Sequence, residues 1–125
     1  MYLGIDLGTS GVKVIILDCH DTLLAQANCS LTVSRPYPLW SEQNPHDWWQ
    51  ATCDAVQQIK LEHPALLAAV KAVGLSGQMH GATLLDTDNK VIRPAILWND
   101  GRSEAQCKTL EAAQPNSRKI TGNIA

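Results

Sequence analysis

Residues 1–13 read MYLGIDLGTSGVK, and this stretch decides the fold. A short apolar run at 2–5 ends in Asp6. Gly8, Thr9, Ser10 and Gly11 follow, then Lys13, and a second apolar run occupies 14–17. Apolar runs around a Gly-rich tetrad predict strand, tight turn, strand. The glycines allow a sharp bend and a close approach of backbone N–H groups to a ligand. Amides gathered in this way form an anion-binding nest. Thr9 and Ser10 add hydroxyls, Lys13 adds an ammonium, and Asp6 puts a carboxylate at the turn's entrance. A carboxylate beside a phosphate nest makes sense when a divalent cation lies between them. The residues therefore point to a Mg-nucleotide phosphate site. From the turn alone, an ordinary hairpin with one exposed lysine fits as well.

The turn is not a Walker loop. GxxxxGK[ST] is absent, and Val14 rather than a hydroxyl residue follows Lys13. The element after it reads as a strand, so no helix dipole assists. Moving outward, strands are predicted at 2–7, 12–19 and 22–33, with His20 and Asp21 turning the chain. Pro36 and Pro38 mark a loop. Asn44 as N-cap, Pro45 at the first helical position and Asp47 in the first turn open a helix. Trp48, Ala51, Thr52, Ala55, Val56 and Ile59 make its apolar face, and Pro64 ends or restarts it. A buried strand is predicted at 70–76, a polar break at 77–81 and a further strand at 82–85. Short extended pieces follow at 91–92 and 95–98. A second helix is predicted at 102–113, capped by Asp100 and stopped by Pro115. Three antiparallel strands, a helix and an added strand give an α/β fold of the ribonuclease-H-like type, with a mixed sheet.

The bulk properties narrow the function. With 125 residues, 45% hydrophobic and 18% charged, the chain has the composition of a globular domain with a real core. A net charge of -2 offers no basic footprint for nucleic acid and no polybasic membrane patch. No apolar run reaches the length of a membrane span. Asp6 interrupts the first apolar run, which argues against a signal peptide. Cys19, Cys29, Cys53 and Cys107 form no CxxC, so free thiols in a reducing cytoplasm are expected. Residues 121–125 read as a chain cut short.

Four separated segments agree on a family. They are GIDLGTSGVKV at the start, LWSEQNPHDWW at 39–49, GLSGQMHGATLLD at 74–86 and ILWNDGR at 96–102. Together they make the chain resemble the N-terminal part of the FGGY carbohydrate kinases, and the last two resemble the branch that acts on xylulose. DLGTS by itself is shared by many sugar kinases. The resemblance implies the actin, hexokinase and heat-shock ATPase fold, in which two ribonuclease-H-like domains flank a cleft. Residues 1–125 would then be part of the first domain, with the second domain absent from this chain.

The resemblance also implies site residues. Asp6, Gly8, Thr9, Ser10 and Lys13 match the first phosphate motif, with ATP as cofactor and Asp6 organising Mg²⁺ through a bound water. Gln78, Met79 and His80 stand just past a strand end, where ligands gather in open α/β sheets. They are expected on the sugar, as are Trp98, Asn99 and Asp100. An indole face packs well on the C–H face of a sugar, and polar neighbours read its hydroxyls. Core packing for Trp98 and helix capping for Asp100 remain alternatives. Trp40, Trp48 and Trp49 are assigned to packing, and Glu42 and Gln43 receive no chemical role.

The implied reaction is transfer of the ATP γ-phosphate to D-xylulose, giving D-xylulose 5-phosphate. The general-base Asp is expected beyond Ala125, so the isolated chain should be inactive. Other readings are a gluconate or ribulose kinase of the same family, a non-sugar actin-like nucleotide switch, and a folding module without ligands. A strand edge left uncovered should favour homodimerisation or aggregation of the isolated chain.

Overall fold

β-branched and aliphatic residues alternate through the first thirty positions, and they build the antiparallel half of a sheet. In the computed structural model, which describes residues 1–122, β1 (Tyr2–Leu7), β2 (Gly11–Leu17) and β3 (Leu23–Ser30) form the expected meander. β1 and β2 pair with Asp6 opposite Lys13 and Leu7 opposite Val12. A bulge between Ile16 and Leu17 shifts the β2–β3 register beside the connecting turn. Asp18 closes the second turn by accepting from the amides of His20 at 2.8 Å and Thr22 at 2.9 Å. This turn takes up residues 18, 19 and 22, which the apolar pattern had assigned to strand, and β3 also stops at Ser30, short of the expected 33.

Period-two alternation places Leu3, Val12, Val14, Ile16, Ala25 and Ala27 on one face, and all are buried. A two-residue β4 (Glu42–Gln43) precedes α1 (Pro45–Glu62), which covers this face with Ala51, Ala55 and Ile59. Asn44 caps the helix as expected, accepting from the amide of His46. The helix ends where the His63 amide bonds to Ile59 at 2.8 Å, and Pro64 opens the short α2 (Pro64–Ala68).

β5 (Ala72–Gly77) then joins β1 in parallel, giving the sheet order β3-β2-β1-β5. Here one expectation fails. The strand predicted as buried is exposed along its whole length, with Leu75 at 79%. The reason is geometric: β5 is an edge strand, and α1 packs over β1, β2 and β3. Its apolar composition exposes the surface that the sequence reading anticipated.

The rest of the chain departs further from expectation. Residues 82–85 form no strand; they make only single bridges, Ala82 to Ile96 and Leu85 to Val91. β6 (Ala95–Ile96) pairs antiparallel with β4 in a second, two-stranded sheet. The second helix, α3 (Glu104–Ala113), begins after Ser103, which makes no side-chain cap. Asp100 does not cap it. Pro115 separates α3 from a further short helix, α4 (Ser117–Thr121). The reading of 121–125 as a cut end falls mostly outside the described residues.

Candidate functional site

The Gly8–Gly11 turn joins β1 to β2 at the end of the sheet where β5 also stops. The Gly8 amide donates to the Gly11 carbonyl at 3.0 Å and closes the turn. The amides of Thr9 and Ser10 donate to no backbone carbonyl among the described residues. Neither glycine needs a left-handed backbone here. They are required by closeness. A Cβ on Gly11 would stand 2.8 Å from the Cys29 carbonyl oxygen, and one on Gly8 would stand 3.1 Å from that of Gly11.

Two cavities meet at Asp6. One, of about 430 Å³, is lined by Asp6, Gly8, Thr9, Gly77, Gln78, Met79, His80 and Trp98. The other, of about 300 Å³, runs along the sheet past Asp6, Lys13, Gly4, Gly74 and Leu75. Both volumes suit small ligands. The structure therefore brings together seven of the eleven site residues expected from sequence and sets Lys13 in the adjoining cavity. Ser10 and Asn99 are exposed outside both cavities. Asp100 lines neither.

The carboxylate of Asp6 makes no hydrogen bond among the described residues and faces both cavities. No group of three His, Cys, Asp or Glu side chains is placed to hold a metal among the described residues. A single free carboxylate nevertheless fits Mg²⁺, which is bound through one or two carboxylates together with substrate phosphates and water. His80, at the mouth of the larger cavity, adopts φ 62°, a left-handed conformation uncommon outside glycine.

A chain of hydrogen bonds underlies the larger cavity, and Gln43 is its hub. The Gln43 residue is 2% exposed. Its Nε2 donates to the Thr9 carbonyl at 2.7 Å and, at 3.4 Å, to that of Thr32. Its Oε1 accepts from Trp48 Nε1 at 3.0 Å and Gln78 Nε2 at 3.2 Å. Thr9 Oγ1 donates to Gln78 Oε1 at 2.9 Å and accepts from Trp98 Nε1 at 3.1 Å. Sequence reasoning missed this role for Gln43. The LWSEQ segment was the only signal, and it gave no chemistry.

Behind the cleft lies an ionic cluster that the sequence reading also missed. Glu42 pairs with Arg93 and, at 2.8 Å, with Arg102. Arg102 holds Asp100 at 2.6 Å and stacks its guanidinium 3.6 Å over the Trp40 ring. Asp100, whose side chain is 1% exposed, also accepts from the amides of Ser41 and Arg102. The Arg102 guanidinium, helped by these amides and opposed by burial, holds the Asp100 carboxyl well below the usual carboxylate range. Asp100 thus fixes the 97–102 turn that presents Trp98, with the Asp100 amide bonded to the Leu97 carbonyl at 3.1 Å.

Known proteins share the sequence and fold of this chain. A xylulose kinase of Escherichia coli (strain K12) is 59% identical over 124 residues, covering 99% of this chain and 25% of that protein. The crystal structure of a "xyloylose kinase" from Brucella ovis superposes with a TM-score of 0.94 at 50% identity, over 98% of this chain and 26% of that one. A xylulose kinase structure from Rhodospirillum rubrum gives 0.84 at 29% identity, over 89% of this chain and 23% of that one. The chain thus spans about a quarter of the length of these relatives. Residues 1–125 match the family model described as the FGGY family of carbohydrate kinases, N-terminal domain. With its mixed sheet, its DLGTS turn and these relatives in agreement, the chain belongs to the FGGY carbohydrate kinases.

Proposed function

We propose that the chain is the N-terminal part of an ATP-dependent xylulose kinase that forms D-xylulose 5-phosphate. The observation that carries this reading is the position of Asp6 at the junction of two cavities. Such a junction is what in-line phosphoryl transfer needs, since catalysis there is mostly positioning and charge neutralisation. The sugar takes the larger cavity. Trp98, 60% exposed, offers its ring face to the sugar's C–H face. His80 reads a hydroxyl, and Met79 supplies an adaptable apolar wall. The phosphates of ATP lie at the turn, within reach of the Thr9 and Ser10 amides and of Lys13.

Asp6 would hold Mg²⁺ through a water; when bound, the ion neutralises charge on the phosphate oxygens. Asp6 thus acts on the phosphates, and the base for the sugar hydroxyl comes from outside residues 1–125. The reading places the protein in the cytoplasm, where four thiols, all free in the structure, stay reduced. No helix among the described residues is long and apolar enough to cross a membrane.

The test is ADP release by the full-length protein with Mg-ATP and D-xylulose, D-gluconate, ribulose or glycerol. Strong stimulation by D-xylulose alone is expected. Stimulation by another of these polyols would move the substrate within the family. ATP hydrolysis indifferent to all four would sink the kinase reading.

A further inference from the structure

The direction of every hydrogen bond beneath the cleft is dictated by groups that cannot reverse. An indole N–H only donates, and a backbone carbonyl only accepts. Trp48 therefore fixes an acceptor, Oε1, on one side of the Gln43 amide. The carbonyls of Thr9 and Thr32 fix the donor, Nε2, on the other. The Gln43 Oε1 then requires Nε2 of Gln78 to face it, which turns Gln78 Oε1 toward Thr9. Thr9 must donate its one proton there, because an amide oxygen only accepts, and the Thr9 oxygen in turn receives the Trp98 indole N–H. The polarity runs without a break from a buried glutamine to a tryptophan on the open side of the cleft.

We propose that Gln43 is the positioning residue of this cleft: it orients the Thr9 hydroxyl, the Gln78 amide and the Trp98 ring without touching substrate. The inference rests on the kinase reading for its kinetic consequence but not for its structural one. A phosphate oxygen can receive the Thr9 proton only when Gln78 Oε1 gives it up. Gln78 Oε1 is then free to accept from a hydroxyl in the same cavity. The nucleotide and sugar halves of the cleft are thereby linked through one proton whose resting position Gln43 sets.

The four groups that touch Gln43 are uncharged. Its neighbour Glu42 bonds instead to Arg93 and Arg102. The titratable groups lining the cavity, Asp6 and His80, are present whatever stands at position 43.

The experiment uses two near-isosteric substitutions in the full-length protein. Gln43→Met removes donor and acceptor together while filling a similar space. Gln43→Glu keeps the acceptor, but its ionised form opposes the Thr9 and Thr32 carbonyls. Its protonated form restores the donor. Burial raises the pKa of such a carboxyl, so the variant should recover as pH falls. We expect Gln43→Met to lose about 100-fold in kcat/KM, the scale of a small misplacement of reacting groups. Gln43→Glu should lose a similar factor at high pH and regain at least about 10-fold of it, relative to the unsubstituted protein, as the pH is lowered.

A second readout is independent of activity. The indole N–H signals of Trp48 and Trp98, followed by NMR on protein with isotope-labelled tryptophan, should both track the introduced carboxyl's titration in Gln43→Glu. Gln43 does not touch Trp98, so a merely local role would move Trp48 alone. That result, or Gln43→Met activity within about 3-fold of the unsubstituted protein, overturns the proposal. If the unsubstituted protein uses no sugar, the kinase reading fails, and the Trp98 signal by itself decides the role of Gln43.

Discussion

Trp98 and Thr9, 89 positions apart, meet in a single hydrogen bond of 3.1 Å from indole N–H to hydroxyl. The bond ties the wall of the larger cavity to the Gly8–Gly11 turn. It should be measurable as a coupling. In a double-mutant cycle with Trp98→Phe and Thr9→Val, thermal unfolding should give a coupling of about 0.5–1 kcal/mol, modest because Trp98 is partly solvated. Strict additivity would show that the bond does not form in solution.

Asp100 gives a prediction with a definite sign in pH. Its carboxyl titrates below its unfolded value of about 3.9, chiefly through Arg102. A depressed acid contributes stability that is complete above the unfolded pKa. That stability is lost as the pH falls below it toward the folded pKa. Asp100→Asn should therefore destabilise the protein at neutral pH and flatten its loss of stability in acid. We expect about 2–3 kcal/mol at pH 7, below the full value for a broken buried pair because Arg102 retains Glu42 as partner. Equal acid sensitivity of the variant and the unsubstituted protein would contradict this assignment.

His80 is held in a left-handed conformation at the cavity mouth. Strain of this kind is tolerated where function needs it. Glycine adopts the same backbone freely, so His80→Gly should raise stability by about 0.5–1 kcal/mol. The same change removes the side chain proposed to read a sugar hydroxyl and should raise the KM for the sugar by about 10-fold. A destabilised variant with an unchanged KM would reverse both halves of the argument.

Gly11 and Gly74 separate close approach from open space. An alanine Cβ at position 11 would press on the Cys29 carbonyl at 2.8 Å, whereas at position 74 nothing lies within 4 Å. Gly11→Ala should lower stability by about 1–3 kcal/mol. Gly74→Ala should be close to neutral, and urea unfolding of the two variants side by side checks the contrast. A Gly11→Ala as close to neutral as Gly74→Ala would mean that β2 can shift to make room.

Much of the fold was legible because its signals are local. The alternation of Val12, Val14 and Ile16, the Asn44-Pro45 helix start and the Gly-rich turn at residue 8 each follow from near-neighbour sterics and burial. The exposed state of β5 was not legible. Apolar composition reports what a strand can bury, and which neighbours cover it is decided by the packing of α1 over β1 to β3.

The same division runs through the site. From the sequence came the Gly-rich turn with Asp6 and Thr9, and, through resemblance to the family, the grouping of Gln78, Met79, His80 and Trp98, which the structure sets along one cavity. The turn carries a chemical signature in its own residue types, whereas the other four were grouped only through the resemblance to the family. Only the tertiary structure assigned Gln43, Glu42 and Arg102 their roles and withdrew Asp100 from the cavity lining. A buried amide or ion pair acquires its meaning from partners brought close by folding, here across 34 to 60 positions, and no local pattern encodes that pairing.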